Sequence, residues 1–378
     1  MTARRATVQR LTAGMRVCIC AGSGGVGKTT TAAALAMGLA MRGQRVAVVT
    51  IDPARRLADS LGVDDLGNEP RRIDPALFER HGVLMRGELW AMMLDPKRTM
   101  DELIDGLAPD DSARDEVLSN RIYQGLSAAV AGSQEFSAMS KLYELDRSGA
   151  FDVIVLDTPP SRNALDFLDA PGRLTQFLDG RALRVFLAPS GIASRLVGRG
   201  TGMVFAVLRR LTGSDLLSEL STFFRALSGL LDGFSERAAG AGELLRDPST
   251  TFLMITSPEP EPVEEALFFA AKLAEAGMPF GGLIVNRVSD ERLLELDPAD
   301  CAALLQESLG LRLAERVAAN LADFRALAER DRLSIRRLSD ELGERSPVLV
   351  PELDGDVHEI GGLLRIEREL FGPDDAAS

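Results

Sequence analysis

Residues 18–30 read Cys-Ile-Cys-Ala-Gly-Ser-Gly-Gly-Val-Gly-Lys-Thr-Thr, and no other stretch restricts the fold of this chain so tightly. Gly22, Gly27, Lys28 and Thr29 satisfy the pattern G-x-x-x-x-G-K-[ST]. The apolar run Met15–Ala21 predicts a strand leading into it, and Thr31–Met41, rich in Ala, Leu and Met, predicts a helix behind it. Strand, glycine loop and helix N-terminus in that order form a cradle for phosphate. Glycines let backbone N–H groups turn inward, and the helix end adds partial positive charge. Gly24, Gly25, Val26, Gly27, Lys28, Thr29 and Thr30 are the expected phosphate-contacting residues. Lys28 is expected to reach the β- and γ-phosphates, and the Thr29 hydroxyl to bind Mg²⁺. The pattern implies a nucleotide-binding protein.

Further short apolar runs follow at Val46–Ile51, Leu89–Leu94, Val153–Leu156, Phe252–Thr256, Leu283–Val285 and Val348–Val350. Each is near-continuous rather than alternating, and helical pattern separates each from the next. Continuous apolar strands indicate a sheet covered on both faces, and alternation with helices indicates parallel crossovers. The expected fold class is therefore α/β, a doubly wound, mostly parallel sheet running from residue 15 to about residue 371. Length alone allows two or three domains. Sheet strands spread along the whole chain favour a single domain over 1–378, with helical insertions at 101–145 and 174–247 forming a helical subdomain.

The first insertion carries helical pattern only. In the second, Leu216, Leu217, Leu220, Phe223, Phe224, Leu227, Leu230, Leu231 and Phe234 recur at helical spacing. The preceding stretch Ile192–Leu211 is apolar but interrupted by Gly198, Gly200 and Gly202. Two readings stand side by side: a helical subdomain packing its own core, or an adaptable hydrophobic surface, covered in one state and exposed in another.

A formal net charge of −13 argues against nucleic acid as a partner and against electrostatic adhesion to anionic lipid. Lys28, Lys97, Lys141 and Lys272 are the only lysines, so one of them in the glycine loop carries extra weight. Cys18, Cys20 and Cys301 form no Cys-x-x-Cys pair, which disfavours a zinc site and a disulfide framework. No export signal and no bilayer-length apolar run is evident, so a soluble cytoplasmic protein without an integral membrane segment is expected.

Two acids follow strands. Asp52 ends Val46–Ile51 and either orients a water against the γ-phosphate or caps the next helix, with Pro53 at its first position. Asp157 ends Phe-Asp-Val-Ile-Val-Leu-Asp and is the expected second acid, holding Mg²⁺ directly or through water. Thr158–Leu168, stiffened by Pro159-Pro160, would then sense the γ-phosphate.

With Gly22–Thr30, Asp52-Pro53-Ala54 with Leu57 and Asp59, Asp157-Thr158 with Pro160, and Val285-Asn286, the chain resembles the arsenite-pump/tail-anchored-protein-targeting ATPases. These belong to the wider MinD/ParA-like class, and the likeness is to the actinobacterial single-repeat branch. The resemblance covers the sheet. It implies a dimer closing around two ATP molecules, with Asp52 as the water-orienting acid, also near the metal. Thr29 and Asp157 would be the other Mg²⁺ residues, and hydrophobic protein segments or a partner protein the cargo. It also implies that Asn286 recognises adenine, against a plain strand-end turn role, and that Pro351, Glu352 and Leu353 line the adenine pocket. Departures accompany the likeness. The family's signature lysine, which reaches across the dimer, is Ser23 here, and the usual His after Asp-Pro-Ala is Arg55. Either a heterodimer with a paralogous ATPase carrying that lysine, or a homodimer in which Arg55 or another arginine substitutes, would meet the need. The zinc-binding and metalloid-binding cysteines are absent, which weakens the alternative of a metalloid (arsenite/antimonite) pump subunit. Acidic charge weakens the other alternative, a MinD/ParA-like positioning ATPase.

Overall fold

The computed structural model describes residues 7–52, 54–121, 123–124, 133–159, 223, 226–344, 346–353, 355, 357 and 359–372. Among these, eight strands form one sheet: β1 Val17–Ala21, β2 Arg45–Thr50, β3 Arg71–Arg72, β4 Glu88–Met93, β5 Val153–Asp157, β6 Thr250–Thr256, β7 Phe280–Val288 and β8 Val348–Pro351. Their spatial order is β3-β4-β2-β5-β1-β6-β7-β8. Every pairing is parallel except the short β3–β4 contact. The expected doubly wound sheet is what the chain forms.

β1, β5 and β6 are buried along their whole length, as continuous apolar strands require when helices cover both faces. Register places Cys20 opposite both Asp157 on β5 and Leu253 on β6, and Thr50 opposite Asp157. Three strand ends thus line up beneath the glycine loop, at the carboxyl edge where ligands of such sheets bind. The six later strands begin and end within a few residues of their apolar runs. β7 is longer than Leu283–Val285 because ladder bonds extend beyond the apolar core of a strand. β3, two exposed arginines, has no hydrophobic pattern by which it could be foreseen.

The helices serving this sheet are α1 Val8–Leu11, α2 Lys28–Met41, α3 Arg56–Leu61, α4 Ala76–Glu79, α9 Pro260–Glu275, α10 Pro298–Leu309, α11 Leu311–Leu342 and α12 Ile360–Phe371. α2 is buried on nearly every side, from Thr31 to Ala40, so its small residues are a packing requirement. At Gly38 the ring of Phe371 lies where a side chain would start. Beside it Arg42 stacks its guanidinium 4.0 Å from the Phe371 ring centroid and pairs with the buried Glu367 at 2.6 Å. α10 and α11 form a hairpin through Gly310 at φ 76°. α10 starts on Asp297, whose carboxylate accepts from the amides of Ala299 and Asp300, with Pro298 at the first position. It has no buried residue, and Leu304 is 81% exposed.

The chain separates into two compact units, one comprising Met1–Met93, Gly149–Leu165 and Arg246–Ser378, the other Leu94–Ser148 and Asp166–Leu245. The described part of the second is helical: α5 Pro96–Leu107, α6 Asp111–Leu118, α7 Ser133–Ser148 and α8 Leu231–Arg246. Asp95 and Asp110 cap α5 and α6 by accepting from the amides of Arg98 and Ala113. Its core gathers Leu103, Ile104, Val117, Phe136 and Phe234, with the Phe136 and Phe234 rings 6.0 Å apart. Phe223, Leu227 and Leu230 are buried in the same core. The helical run is broken by a turn at Gly229-Leu230. Pro53, Pro160–Leu168, Ile192–Leu211 and Leu216, Leu217, Leu220 and Phe224 lie outside the described residues.

Candidate functional site

The loop from β1 to α2 is shaped by close approaches that only glycine permits. A Cβ on Gly22 would fall on the Ile255 carbonyl oxygen of β6, so the loop lies against that strand. Gly27 has φ 88°, and the Asn286 amide sits where its side chain would be. The same amide donates to the Val26 carbonyl at 2.9 Å. Asn286, only 8% exposed, thereby fastens the loop from the far side of β6. Glu352 and Pro351 stand at the neighbouring strand end, where the Glu352 amide donates to the Val288 carbonyl at 3.0 Å. Leu353 packs partly buried against the main core.

Lys28 is buried at the first turn of α2, and its Nζ donates to the Ser23 carbonyl at 2.6 Å across the mouth of the loop. Burial draws its pKa down, with the Arg56 guanidinium assisting, while Asp157 and Asp52 act the other way. A weakly solvated ammonium over a glycine loop is suited to take up phosphate oxygens in exchange for a carbonyl.

Asp157, 1% exposed, organises the floor. Its Oδ2 accepts from the Thr29 hydroxyl at 2.6 Å and from the Thr50 hydroxyl at 2.9 Å. Its Oδ1 is buried and has no hydrogen-bond partner among the described residues. Burial pushes the carboxyl up to about 6, against the pull of both hydroxyls and Lys28. An orphaned carboxylate oxygen is costly in a dry interior. Beside a threonine hydroxyl, it suits a hard divalent cation such as Mg²⁺ or its water shell. The donor set therefore fits that ion, with Thr29 and Asp157 as the residues that could hold it. Next to it, Thr158 donates its hydroxyl to the Cys20 carbonyl at 2.8 Å, locking β5 to β1 beyond the last ladder bond.

Asp52 lies just past β2, with its Oδ1 accepting from the Ala54 amide at 2.9 Å and its own amide donating to the Thr50 hydroxyl at 3.2 Å. It does not cap a helix: α3 begins only at Arg56 and has no side-chain cap. Arg56 approaches the Asp52 carboxylate at 3.6 Å. Arg55 holds a left-handed φ of 56° and lies 3.7 Å from Asp65. Ser23 turns its hydroxyl inward, buried and unpartnered among the described residues. The sequence assigns no role to Thr50, nor one of its own to Arg56 within the arginine-rich run 52–56. Thr50 is one more strand residue by its pattern, and only register reveals that it faces Asp157.

A doubly wound sheet carrying this glycine loop, lysine, threonine and strand-end acid defines a P-loop ATPase. Residues 15–309 match the anion-transporting ATPase (ArsA) family, and the chain belongs to it. It is similar to the ATPase GET3 of Chaetomium globosum, 28% identical over 276 residues that cover 71% of either chain. It is similar also to the putative arsenical pump-driving ATPase 1 of Aquifex aeolicus, 27% identical over 289 residues, 74% of this chain and 65% of that one. A third relative, the ATPase get3 of Aspergillus terreus, is 32% identical over 161 residues, 42% of this chain and 43% of its own. The protein is thus an ATP-hydrolysing enzyme. No helix among the described residues is long and apolar enough to cross a membrane.

Proposed function

We propose that this ATPase is a dimeric conformational switch that binds a hydrophobic protein segment or partner in its ATP state and releases it after hydrolysis. In this reading Gly24–Thr30 hold the phosphates, and Lys28 exchanges the Ser23 carbonyl for the β- and γ-phosphates. Thr29 and Asp157 would hold Mg²⁺, which would supply charge neutralisation for the phosphates. Asp52 orients the attacking water. Asn286 with Pro351, Glu352 and Leu353 forms the adenine pocket; an amide has two donors and an acceptor, so its tie to Val26 is compatible with contact to the base. The sheet domain and the two insertions at 101–145 and 174–247 act as one nucleotide-driven machine.

The observation that carries this reading is the Thr29–Asp157–Thr50 cluster with its orphaned oxygen, set beside Asp52 at the end of the adjacent strand. An acid that positions water and a loop tied to strand ends give the nucleotide a mechanical grip on the fold. The relatives named GET3 support the family setting. A metalloid-transport reading draws on the name of the Aquifex aeolicus relative. Against it, Cys18 and Cys20 are buried, with the Cys18 thiol pushed up to about 12, leaving Cys301 as the one partly exposed thiol. The test uses Asp52→Asn in the full chain and a photo-reactive hydrophobic helical peptide. Crosslinking in ATP and not in ADP is expected; equal crosslinking in both would defeat the switch, and arsenite stimulation of hydrolysis by the wild-type chain would favour the transport reading.

A further inference from the structure

We propose that Arg56 supplies, within its own protomer, the positive charge that stabilises the γ-phosphate as it is transferred to water. The inference rests on the reading of Asp52 as the water-orienting acid, and it assigns the partner of that acid.

The loop provides no second cation of its own. At position 23 the hydroxyl is turned inward and the carbonyl is engaged by Lys28. Two arginines follow Asp52, and the backbone sends them in different directions. Arg55 is left-handed at φ 56°, an uncommon conformation for a side chain of its size, and faces Asp65. Arg56, the first residue of α3, instead faces Asp52, with Nη1 3.6 Å from Oδ2.

Its backbone is firmly held and its side chain is not. Leu57, Ala58, Ser60 and Leu61 of α3 are buried, and the Asp59 amide closes the first turn on the Arg55 carbonyl at 3.0 Å. The Arg56 side chain is 66% exposed, and an exposed pair at 3.6 Å is a weak restraint. Its charge bears on the Lys28 ammonium, as that of Asp52 does in the opposite sense. A triphosphate carries far more negative charge than one carboxylate, and a guanidinium can span two phosphate oxygens. On binding of ATP, Arg56 moves from Asp52 to the γ-phosphate, and Asp52 is released to hold water. In the reaction the water oxygen bonds to the γ-phosphorus and the bridging P–O bond breaks, its electron pair staying on the β-phosphate of ADP. One water proton remains on the released hydrogen phosphate and the other passes to solvent by way of Asp52.

The test compares the wild-type chain with Arg56→Ala and Arg56→Lys. Arg56→Ala is expected to lower kcat on the order of 10³-fold while KM for ATP changes only a few-fold. ADP binding should be unchanged, and formation of the complex with ADP and aluminium fluoride should be lost. Arg56→Lys should recover part of kcat. Mixing Arg56→Ala with Lys28→Ala should restore nothing, since neither protomer holds both ATP and the arginine. A wild-type kcat in Arg56→Ala, equal weakening of ADP and of the fluoride complex, or restoration in the mixture would overturn the proposal. If Asp52→Asn hydrolyses at the wild-type rate while Arg56→Ala does not, the reading of Asp52 fails and that of Arg56 stands.

Discussion

Lys28, Asp52 and Asp157 differ in burial, and that difference separates what each substitution should do. Lys28 is buried over the loop and bonded to the Ser23 carbonyl, so it is poised for ground-state contact with phosphate. Lys28→Ala is expected to weaken ATP binding itself, read by nucleotide fluorescence titration. Asp52 is partly exposed and bonded to the Ala54 amide, a contact that asparagine can keep. Asp52→Asn should therefore retain ATP affinity within a few-fold and lose turnover on the order of 10³-fold in single-turnover assays. Retained turnover would remove Asp52 from the chemistry. The cysteines offer an independent check on the packing around the site. Cys18 and Cys20 are fully buried, their thiols driven upward by burial, while Cys301 is partly exposed. A thiol reagent at pH 8 is expected to find one cysteine in the native chain and three after denaturation. Lys28, Thr29, Asp52 and Asp157 were legible in the sequence because glycine spacing and strand ends announce them. Thr50 and Arg56 were not, since their importance comes from the neighbours that strand register and the fold set beside them, Asp157 for Thr50 and Asp52 for Arg56.

At the scale of elements, the strands were readable because a buried parallel strand has to be apolar throughout, and β1, β5 and β6 are. The two-residue β3 and the α10–α11 hairpin were not, for opposite reasons. β3 is too short and too charged to carry a pattern, and α10 has no fully buried residue, so its periodic constraint is weak. The contact between α2 and α12 shows how one small residue decides a packing. Gly38→Ala puts a methyl group into the Phe371 ring, which Arg42 and Glu367 hold in place. The higher helix propensity of alanine opposes this, but overpacking a filled core costs about 1–3 kcal/mol. A net loss of stability in chemical denaturation is expected. Gly38→Ala combined with Phe371→Leu should recover part of it, and a stabilised single variant would show that the ring has room to move.

For the whole molecule, the central expectation is assembly. A loop whose position 23 carries serine leaves two arrangements, a pair of identical chains or a pair with a paralogous ATPase that carries a lysine there. Light scattering on Asp52→Asn distinguishes them. A doubled mass with ATP and a single mass with ADP is expected for identical chains. Doubling only on addition of the paralogue would select the mixed pair, and an unchanging mass in every case would defeat dimerisation. The two compact units bear on how the second insertion is read. Phe223, Leu227, Leu230 and Phe234 are buried in the internal core of the helical unit, the covered state of either reading.

From its sequence alone this chain is determined to be a doubly wound α/β protein with a phosphate loop after its first strand. Glycine, lysine and threonine at fixed spacing, together with continuously apolar strands, serve few other purposes. Only the tertiary structure decided which polar groups meet. Strand order places β5 between β2 and β1, so Thr50 and Thr29 converge on Asp157 from segments far apart in the chain. It also carries Asn286 under the loop from β7. The reason is that hydrophobic periodicity specifies which face of an element is buried, whereas hydrogen-bond partners depend on how elements are ordered and registered against one another. Local pattern carries the first kind of information and not the second.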